Sequence, residues 1–189
     1  METLKFFHPV LHIDLRFPTT YVKMNKFDSL ERFMNRPKSI LVLFVCTGNI
    51  CRSPMAEAVF LHLVSQAGLS DRFEVASVAT TSWEAGERPH PGTQLVLRNH
   101  HIPLDPHKRA QKISQQDYED FDYILAMDGE NLRHLHHSTK IRRLLEFAPP
   151  GNPIDVPDPY YTGDFEYAFS LIDVACKNLF TFIRSQENI

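Results

Sequence analysis

Cysteine is scarce in this chain, since its 189 residues include only Cys46, Cys51 and Cys176. A small and odd number of cysteines excludes the disulfide framework that stabilises many secreted domains. Free thiols persist in reducing compartments, so the sequence predicts a cytoplasmic protein.

Long apolar runs and targeting features are absent as well. The longest apolar stretch covers residues 40–46, whereas a membrane-spanning helix needs about 18 or more apolar residues. Lys5, His8 and Asp14 interrupt the apolar residues near the N-terminus, so we expect no signal peptide. The sequence therefore predicts no membrane partner.

An excess of basic residues is the third missing feature. Lysine and arginine together number 20 and aspartate and glutamate 23, which gives a formal net charge of −3. Proteins that neutralise nucleic-acid phosphates usually carry a basic excess, so we expect no nucleic-acid partner. The apolar fraction of 43% is enough for one sizeable hydrophobic core.

The charge is divided unevenly along the chain. Residues 1–38 contain seven basic and four acidic residues, a net +3, which leaves −6 for residues 39–189. Apolar residues in the first part follow no clean period, and only residues 28–35 favour a short helix. We interpret residues 1–38 as an N-terminal extension of unknown role, either an interaction element or the result of a misassigned translation start. Residues 39–186 are predicted to form the domain.

Strand and helix patterns alternate from residue 39 onward. Ser53 as N-cap and Pro54 at the first helical position mark the start of the first predicted helix of this domain. The predicted strands cover residues 40–45, 73–78, 121–127 and 142–147, and the predicted helices 53–66, 91–100, 114–119, 129–135 and 165–184. This order predicts an α/β fold with a parallel sheet, whose ligand binds at the carboxyl ends of the strands.

The loop after the first strand, residues 46–53, carries the residues best suited to chemistry. Its backbone N–H groups, next to a helix N-terminus, can converge on one anion. Arg52 can donate two parallel hydrogen bonds to a phosphate group, and Gly48 allows a backbone shape that a Cβ would hinder. Cys46 would be a thiolate directed at phosphorus, with Ser53 donating to its sulfur and Asn49 holding the loop.

Two other roles for the loop cysteines agree less well with the sequence. A cysteine at the end of a buried strand often serves as a small apolar residue. Cys46 and Cys51 would supply half of a zinc site, but only Cys176 remains, and the chain has no second cysteine pair. The register of strand, arginine and helix start favours phosphate binding, and we expect no metal and no cofactor.

Residues 42–58 resemble the signature of the low-molecular-weight protein tyrosine phosphatases. Further similarity lies in residues 77–86, in residues 121–131 and in the Asp-Pro-Tyr-Tyr segment at residues 158–161. The resemblance extends over most of the chain after residue 38. It implies a three-layer α/β/α fold around a four-stranded parallel sheet, the phosphotyrosine phosphatase I-like fold.

The same resemblance implies a protein-tyrosine-phosphatase that needs no metal or cofactor. Cys46 would form a cysteinyl-phosphate intermediate, Arg52 would bind the phosphate, and Asp158 would act first as general acid and then as general base. The residues implied in substrate binding are Thr47, Gly48, Asn49, Ile50, Cys51, Ser53, Trp83, Tyr160 and Tyr161.

The implied substrates are phosphotyrosine-containing proteins. Trp83, Tyr160 and Tyr161 would form aromatic walls around a phenyl ring, in a slot too deep for the short phosphoserine side chain. Related arginine phosphatases typically have threonine at the position of Ile50 and lack the paired tyrosines, which favours phosphotyrosine here.

The resemblance also concerns regulation and support of the loop. Cys51 would form a disulfide with Cys46 under oxidation, and either tyrosine of the pair would be a phosphorylation site. His107 is the candidate for the family's structural histidine, and Cys176 is interpreted as a buried structural thiol.

Two rival functions fit the sequence less well. Thioredoxin-linked arsenate reductases share the fold and the loop, but they need a further cysteine pair, and this chain has no cysteine between Cys51 and Cys176. A noncatalytic phosphotyrosine-binding module would normally have lost the nucleophile, the arginine or the acid, and this chain has all three.

Overall fold

A computed structural model describes residues 39–189, so the predictions made for residues 1–38 lie outside the described residues. The described chain forms a four-stranded parallel sheet in the order β2-β1-β3-β4. The strands are β1 (Ile40–Cys46), β2 (Phe73–Ala79), β3 (Tyr123–Ala126) and β4 (Ile141–Arg143). The predicted α/β fold with a four-stranded parallel sheet is therefore confirmed.

Helices cover both faces of the sheet. They are α1 (Arg52–Gln66), α2 (Pro91–Asn99), α3 (Gln115–Asp120), α4 (Gly129–Arg133), α5 (Pro159–Thr162) and α6 (Phe165–Glu187), with a 3-10 helix at Leu144–Phe147. Val42 and Phe44 of β1 belong to the larger apolar core, together with residues of α1 and α6. Leu43 and Val45 belong to a smaller core on the other face. Because β1 is buried on both faces, its sequence is a continuous apolar run.

The last predicted strand is wrong in part. Residues 142–147 were expected to be extended, but β4 ends at Arg143 and a 3-10 helix follows. Leu144 and Leu145 both belong to the larger core, whereas successive residues of a strand point to opposite faces of the sheet. The Glu146 carboxylate accepts a hydrogen bond of 3.0 Å from the Arg143 backbone N–H, which helps close the turn.

The predicted cap of α1 is also wrong. The helix begins at Arg52, one residue before Ser53, and the residue in the N-cap position, Cys51, makes no side-chain capping bond. The Ser53 hydroxyl lies instead 3.1 Å from Cys46 Sγ. The Ser53 side chain therefore contacts the loop and does not cap the helix.

The topology fixes where a ligand would bind. Strand β1 lies between β2 and β3, so the chain leaves β1 toward one side of the sheet and later returns to its other side. In open α/β sheets the crevice at such a position, beyond the carboxyl ends of the strands, is where ligands bind. The loop that follows Cys46 is at this place. Within residues 39–189, no helix is both long and apolar enough to span a membrane.

Candidate active site

The loop between β1 and α1 is held from beneath by Asn49. This residue has φ = 56°, in the left-handed region that asparagine adopts more readily than most residues. Its Nδ2 donates hydrogen bonds of 2.8 Å to the hydroxyls of Ser53 and Ser77, and its Oδ1 accepts one of 3.1 Å from the Gln111 backbone N–H. Both amide hydrogens of Asn49 and one acceptor site of its oxygen thus hold the loop in shape.

Two polar groups surround the sulfur of Cys46. The Asn49 backbone N–H donates to Cys46 Sγ over 3.2 Å, and the Ser53 hydroxyl lies 3.1 Å from the same atom. Ser53 therefore lies within hydrogen-bonding distance of this sulfur, as the prediction that it donates to the sulfur requires.

Arg52 is 2% exposed and lies beneath the same loop. Its Nη1 donates to Asp128 Oδ2 at 2.5 Å and to the Val156 carbonyl at 3.1 Å. Its Nη2 donates to Asp158 Oδ2 at 2.6 Å. Burial by itself lowers the pKa of Arg52, but the negative charges of Cys46, Asp158 and Asp128 outweigh burial and raise the pKa above its ordinary value. The guanidinium therefore stays charged.

One donor of this guanidinium has no acceptor. Arg52 Nε is buried and lacks a hydrogen-bond partner among the described residues. A buried donor without an acceptor is costly, and the oxygen of an anionic ligand in this loop would satisfy it. An oxyanion next to Nε and Nη2 would be bound in the two-pronged geometry that arginine offers to phosphate.

Asp158 begins α5 beside the guanidinium. Its Oδ1 accepts a hydrogen bond of 3.1 Å from the Tyr160 backbone N–H, as an N-cap does, while Oδ2 contacts Arg52. Pro159 occupies the first helical position, and Gly163 ends this short helix with φ = 75°. The Asp-Pro-Tyr-Tyr segment is therefore a helix start that holds a carboxylate and two tyrosines on one side of the loop.

A cavity of about 190 Å³ opens above the loop. It is lined by Cys46, Thr47, Gly48, Ile50, Cys51, Trp83, Glu84, Asp158, Tyr160 and Tyr161. The side chains of Trp83, Tyr160 and Tyr161 are 78%, 57% and 82% exposed, so they form walls that rise into solvent. Asn49, Arg52 and Ser53 do not line this cavity, because all three are buried beneath the loop.

Sequence reasoning placed no role on Asp128 and Asn131. Asp128 caps α4 through a 2.6 Å bond from the Asn131 backbone N–H, and it holds Arg52 with its other oxygen. Asn131 Nδ2 donates to Thr47 Oγ1 at 3.0 Å. The available signal was position, because Asp128 follows β3, and β3 ends beside the loop of β1.

Lys108 is a second residue that sequence reasoning missed. Its Nζ lies 2.6 Å from Glu57 Oε2 and donates to the Ser77 carbonyl over 3.0 Å. The Ser77 hydroxyl donates to Glu57 Oε2 at 2.5 Å and accepts from Asn49, so a polar chain connects Lys108 to the loop. His107, the candidate structural histidine, is exposed, and the supporting residue is its neighbour.

The other two cysteines are buried thiols. Burial raises the pKa of the Cys51 thiol to about 12, with additional contributions from the negative charges of Asp158 and Cys46. Burial likewise raises the pKa of Cys176 well above its ordinary value. Cys176 lies on α6, and its thiol donates a weak hydrogen bond to the Ala56 carbonyl oxygen, with 3.9 Å between Sγ and that oxygen. This contact agrees with the predicted structural role.

Comparisons with known proteins agree with this geometry. Residues 41–188 match the family model described as Low molecular weight phosphotyrosine protein phosphatase. Low molecular weight protein-tyrosine-phosphatase YfkJ of Bacillus subtilis is 44% identical over 156 residues, which are 79% of this chain and 99% of that protein. Protein-tyrosine-phosphatase PtpA of Staphylococcus epidermidis is 42% identical over 155 residues, or 79% of this chain and 97% of that one.

Solved structures give the same result. The crystal structure of YfkJ has a TM-score of 0.77 and covers 80% of this chain and 98% of its own. The structure of a drosophila arginine phosphatase is 35% identical, with a TM-score of 0.68 and coverage of 76% and 97%. This chain belongs to the low molecular weight phosphotyrosine protein phosphatase family.

Proposed function

We propose that the protein hydrolyses phosphotyrosine in protein substrates by a two-step thiol mechanism. The observation that carries the proposal is the partnerless Arg52 Nε, buried in the same loop whose sulfur lies at the base of an aromatic-walled cavity. The site combines a nucleophile, a charged anion receptor and a carboxylate that contacts that receptor. No metal or cofactor is assigned a role in it.

In the first step, the Cys46 thiolate attacks phosphorus. The S–P bond forms as the P–O bond to the tyrosine ring breaks, and the protonated Asp158 gives its proton to the departing phenolate oxygen. Arg52 and the loop amides bind the phosphoryl oxygens as charge develops on them. Asp158 now bonds to Arg52 Nη2, and phosphate oxygens would replace it there, which frees the carboxyl group for proton transfer.

In the second step, water attacks the cysteinyl-phosphate. The Asp158 carboxylate accepts a proton from that water while the P–O bond forms and the S–P bond breaks. Inorganic phosphate leaves, and the Cys46 thiolate and the protonated Asp158 are restored. The Ser53 hydroxyl, 3.1 Å from the sulfur, stabilises the thiolate as it departs.

The shape of the cavity supports phosphotyrosine as the substrate. Trp83 and the Tyr160–Tyr161 pair offer flat apolar surfaces to a phenyl ring, and the two tyrosine rings lie edge to face with centroids 5.3 Å apart. Phosphoarginine is the second candidate, because the similar drosophila structure is described as an arginine phosphatase. Ile50 and the paired tyrosines favour the aromatic substrate.

Phosphate release from matched peptides tests the proposal. Phosphotyrosine, phosphoarginine and phosphoserine peptides would be compared in EDTA, with native protein, with Cys46→Ser and with Cys176→Ser as a matched control away from the loop. We expect turnover of phosphotyrosine that is lost in Cys46→Ser and kept in the control. Faster turnover of phosphoarginine would overturn the substrate, and no turnover of any peptide would overturn the enzyme.

Oxidation of the loop is a further part of the proposal. Peroxide would convert the Cys46 thiolate to a sulfenic acid, and the Cys51 sulfur would then displace hydroxide to form a disulfide. The three buried free cysteines also support a reducing, cytoplasmic location. Mass spectrometry of the peroxide-treated protein would detect the Cys46–Cys51 bridge, and recovery of activity with a thiol reductant would distinguish it from irreversible oxidation.

A further inference from the structure

Glu84 is a charged residue in the candidate active site to which the mechanism gives no role. It follows Trp83 in the chain and lines the 190 Å³ cavity together with Cys46, Gly48 and Ile50. Its carboxylate has no hydrogen bond and no ion pair within residues 39–189. A free carboxylate repels the phosphate dianion that binds nearby, so we expect Glu84 to have a role other than phosphate binding.

The methylene groups of Glu84 pack against the phosphate-binding loop. Glu84 Cγ would lie 3.1 Å from a Cβ placed on Gly48, and Glu84 Cβ would lie 3.7 Å from it. The methylene groups of Glu84 therefore rest against the glycine of the phosphate-binding loop. Glycine allows this close approach, and Glu84 lines the cavity next to the exposed Trp83. We expect the residues that flank a bound phosphotyrosine to pass here.

The other charged residues around the site are mostly acidic. A neighbouring cavity of about 360 Å³ shares Thr47, Trp83, Asp158 and Tyr161 with the first one. The carboxylates that line the two cavities are Glu84, Asp128, Glu130 and Asp158. Among residues 39–189, Arg52 is the one lysine or arginine that lines either cavity, and it pairs with Asp128 and Asp158. The carboxylates of Glu84 and Glu130 therefore remain as uncompensated charges. A substrate peptide thus meets a rim with a negative potential.

We propose that Glu84 makes this enzyme prefer phosphotyrosine with a lysine or arginine directly beside it and disfavour phosphotyrosine flanked by acidic residues. The inference rests on the proposed function and names its substrate class. A cationic side chain next to the phosphotyrosine pairs with the unpartnered carboxylate, whereas an acidic one is repelled by it. Glu84 acts on the substrate's neighbouring residue and takes no part in the transfer of the phosphoryl group.

The test compares three peptides that differ only in the residues on both sides of the phosphotyrosine. These residues are lysine, glutamine or glutamate, and kcat/KM is measured for each at low ionic strength. We expect the order lysine, glutamine, glutamate, with about a tenfold ratio between the first and the last, as for charges at a solvated rim. About 1 M salt reduces this ratio, because it shortens the screening length to about 3 Å.

Charge variants assign the preference to one residue. Glu84→Gln keeps the stem against Gly48 and removes the charge, and we expect it to reduce the lysine-to-glutamate ratio about threefold to fivefold. Glu84→Lys should invert the order of the peptides. Glu74→Gln is the matched control, since Glu74 is an exposed carboxylate of β2 paired with Leu41 in the amino-terminal part of β1, away from Cys46. The control should leave the ratio unchanged.

The test compares kcat/KM for two peptides with the same variant, so a general loss of activity cancels in the ratio. An unchanged ratio in both Glu84 variants, or a native enzyme without a preference, overturns the inference and leaves the phosphatase activity intact. Absence of turnover of all three peptides by the native protein overturns the proposed function and the inference with it. The two failures are therefore distinguishable.

Discussion

The buried loop and the exposed rim of the candidate site are held in different ways. In the loop, Asn49, Arg52 and Ser53 are buried, and each is fixed by side-chain hydrogen bonds to other elements. On the rim, Trp83 and Tyr161 are more than three-quarters exposed. The loop is therefore organised before a ligand arrives, whereas the rim side chains acquire most of their contacts from the substrate.

This difference separates chemistry from selectivity. Preorganised donors stabilise charge in the transition state without rearranging, and so they affect kcat. Exposed side chains that become buried only on binding contribute similarly to substrate and transition state, and so they affect KM. We expect loop substitutions to lower kcat and rim substitutions to raise KM.

Arg52→Lys should have the largest effect. Lysine keeps the positive charge but loses the two-pronged geometry, and it leaves Asp128 and Asp158 without their present donors. We expect kcat/KM for a phosphotyrosine peptide to fall about 10³-fold, mostly through kcat. Steady-state kinetics measures this, with Arg98→Lys on the exposed face of α2 as the control. A loss seen only in KM would contradict the division between loop and rim.

Asp158→Asn should lower kcat for phosphotyrosine about 10²-fold, the contribution typical of a general acid. Asparagine can still cap α5, so the tyrosine pair keeps its place. The loss should shrink for p-nitrophenyl phosphate, because its leaving group needs no proton. Kinetics with both substrates checks the prediction, and equal losses for the two leaving groups would argue against the role of Asp158 as acid.

Lys108→Met tests whether the ion pair between Lys108 and Glu57 stabilises the phosphate-binding loop. Glu57 would keep its charge in a mostly buried position without its ion-pair partner, which should cost about 2–4 kcal/mol of unfolding free energy. Activity should fall as well, since Glu57 and Ser77 anchor Asn49. Urea denaturation gives the free energy. Adding Glu57→Gln should restore part of it, and additive losses in the double variant would speak against a coupled pair.

The loop could be predicted from the sequence because its residues are contiguous. A buried strand, an eight-residue loop and a proline-started helix appear together in residues 40–66, and the chain itself places Cys46, Arg52 and Ser53 near one another. The acid at Asp158 is distant in sequence, and only the family resemblance indicated it. Asp155 and Asp164 are acids nearby in the sequence, and only Asp158 is followed by a proline and two tyrosines.

The residues that were missed are those brought in by long-range packing. Asp128 reaches Arg52 because β3 ends beside β1, and strand order is not written in local patterns. Lys108 and His107 are adjacent, so an error of one residue in register selects the wrong side chain. Glu84 lies on the rim because its stem fits against Gly48, a contact that depends on loop geometry. Local sequence patterns predict the strands and helices, whereas the positions of Asp128, Lys108 and Glu84 depend on how those elements pack together.

Trp83→Ala should produce a moderate effect confined to the rim. The indole is 78% exposed before binding and would cover the phenyl ring of the substrate. We expect KM for a phosphotyrosine peptide to rise about fivefold to tenfold with kcat nearly unchanged. The same variant should bind inorganic phosphate as the native protein does, measured by product inhibition. A large loss of kcat would instead assign the indole to the chemistry of the loop.

The last effect is confined to alkaline pH and comes from the buried thiol of Cys51. Burial raises its pKa from 9.0 to about 12, so the folded protein keeps a proton that the unfolded chain releases above about pH 9. The stability that this thiol contributes is complete below pH 9 and is lost as pH rises toward 12. We expect the unfolding free energy of the native protein to fall more steeply above pH 9 than that of Cys51→Ala, by up to about 1.4 kcal/mol per pH unit. Urea titrations of both proteins between about pH 8 and 11, a range that begins near the ordinary thiol pKa of about 8.5, measure the slope. Cys46→Ala is the matched loop control. Parallel slopes for native protein and Cys51→Ala would mean that water reaches this position and that the thiolate forms in the folded protein. The loop would then be less shielded from solvent than its hydrogen bonds indicate.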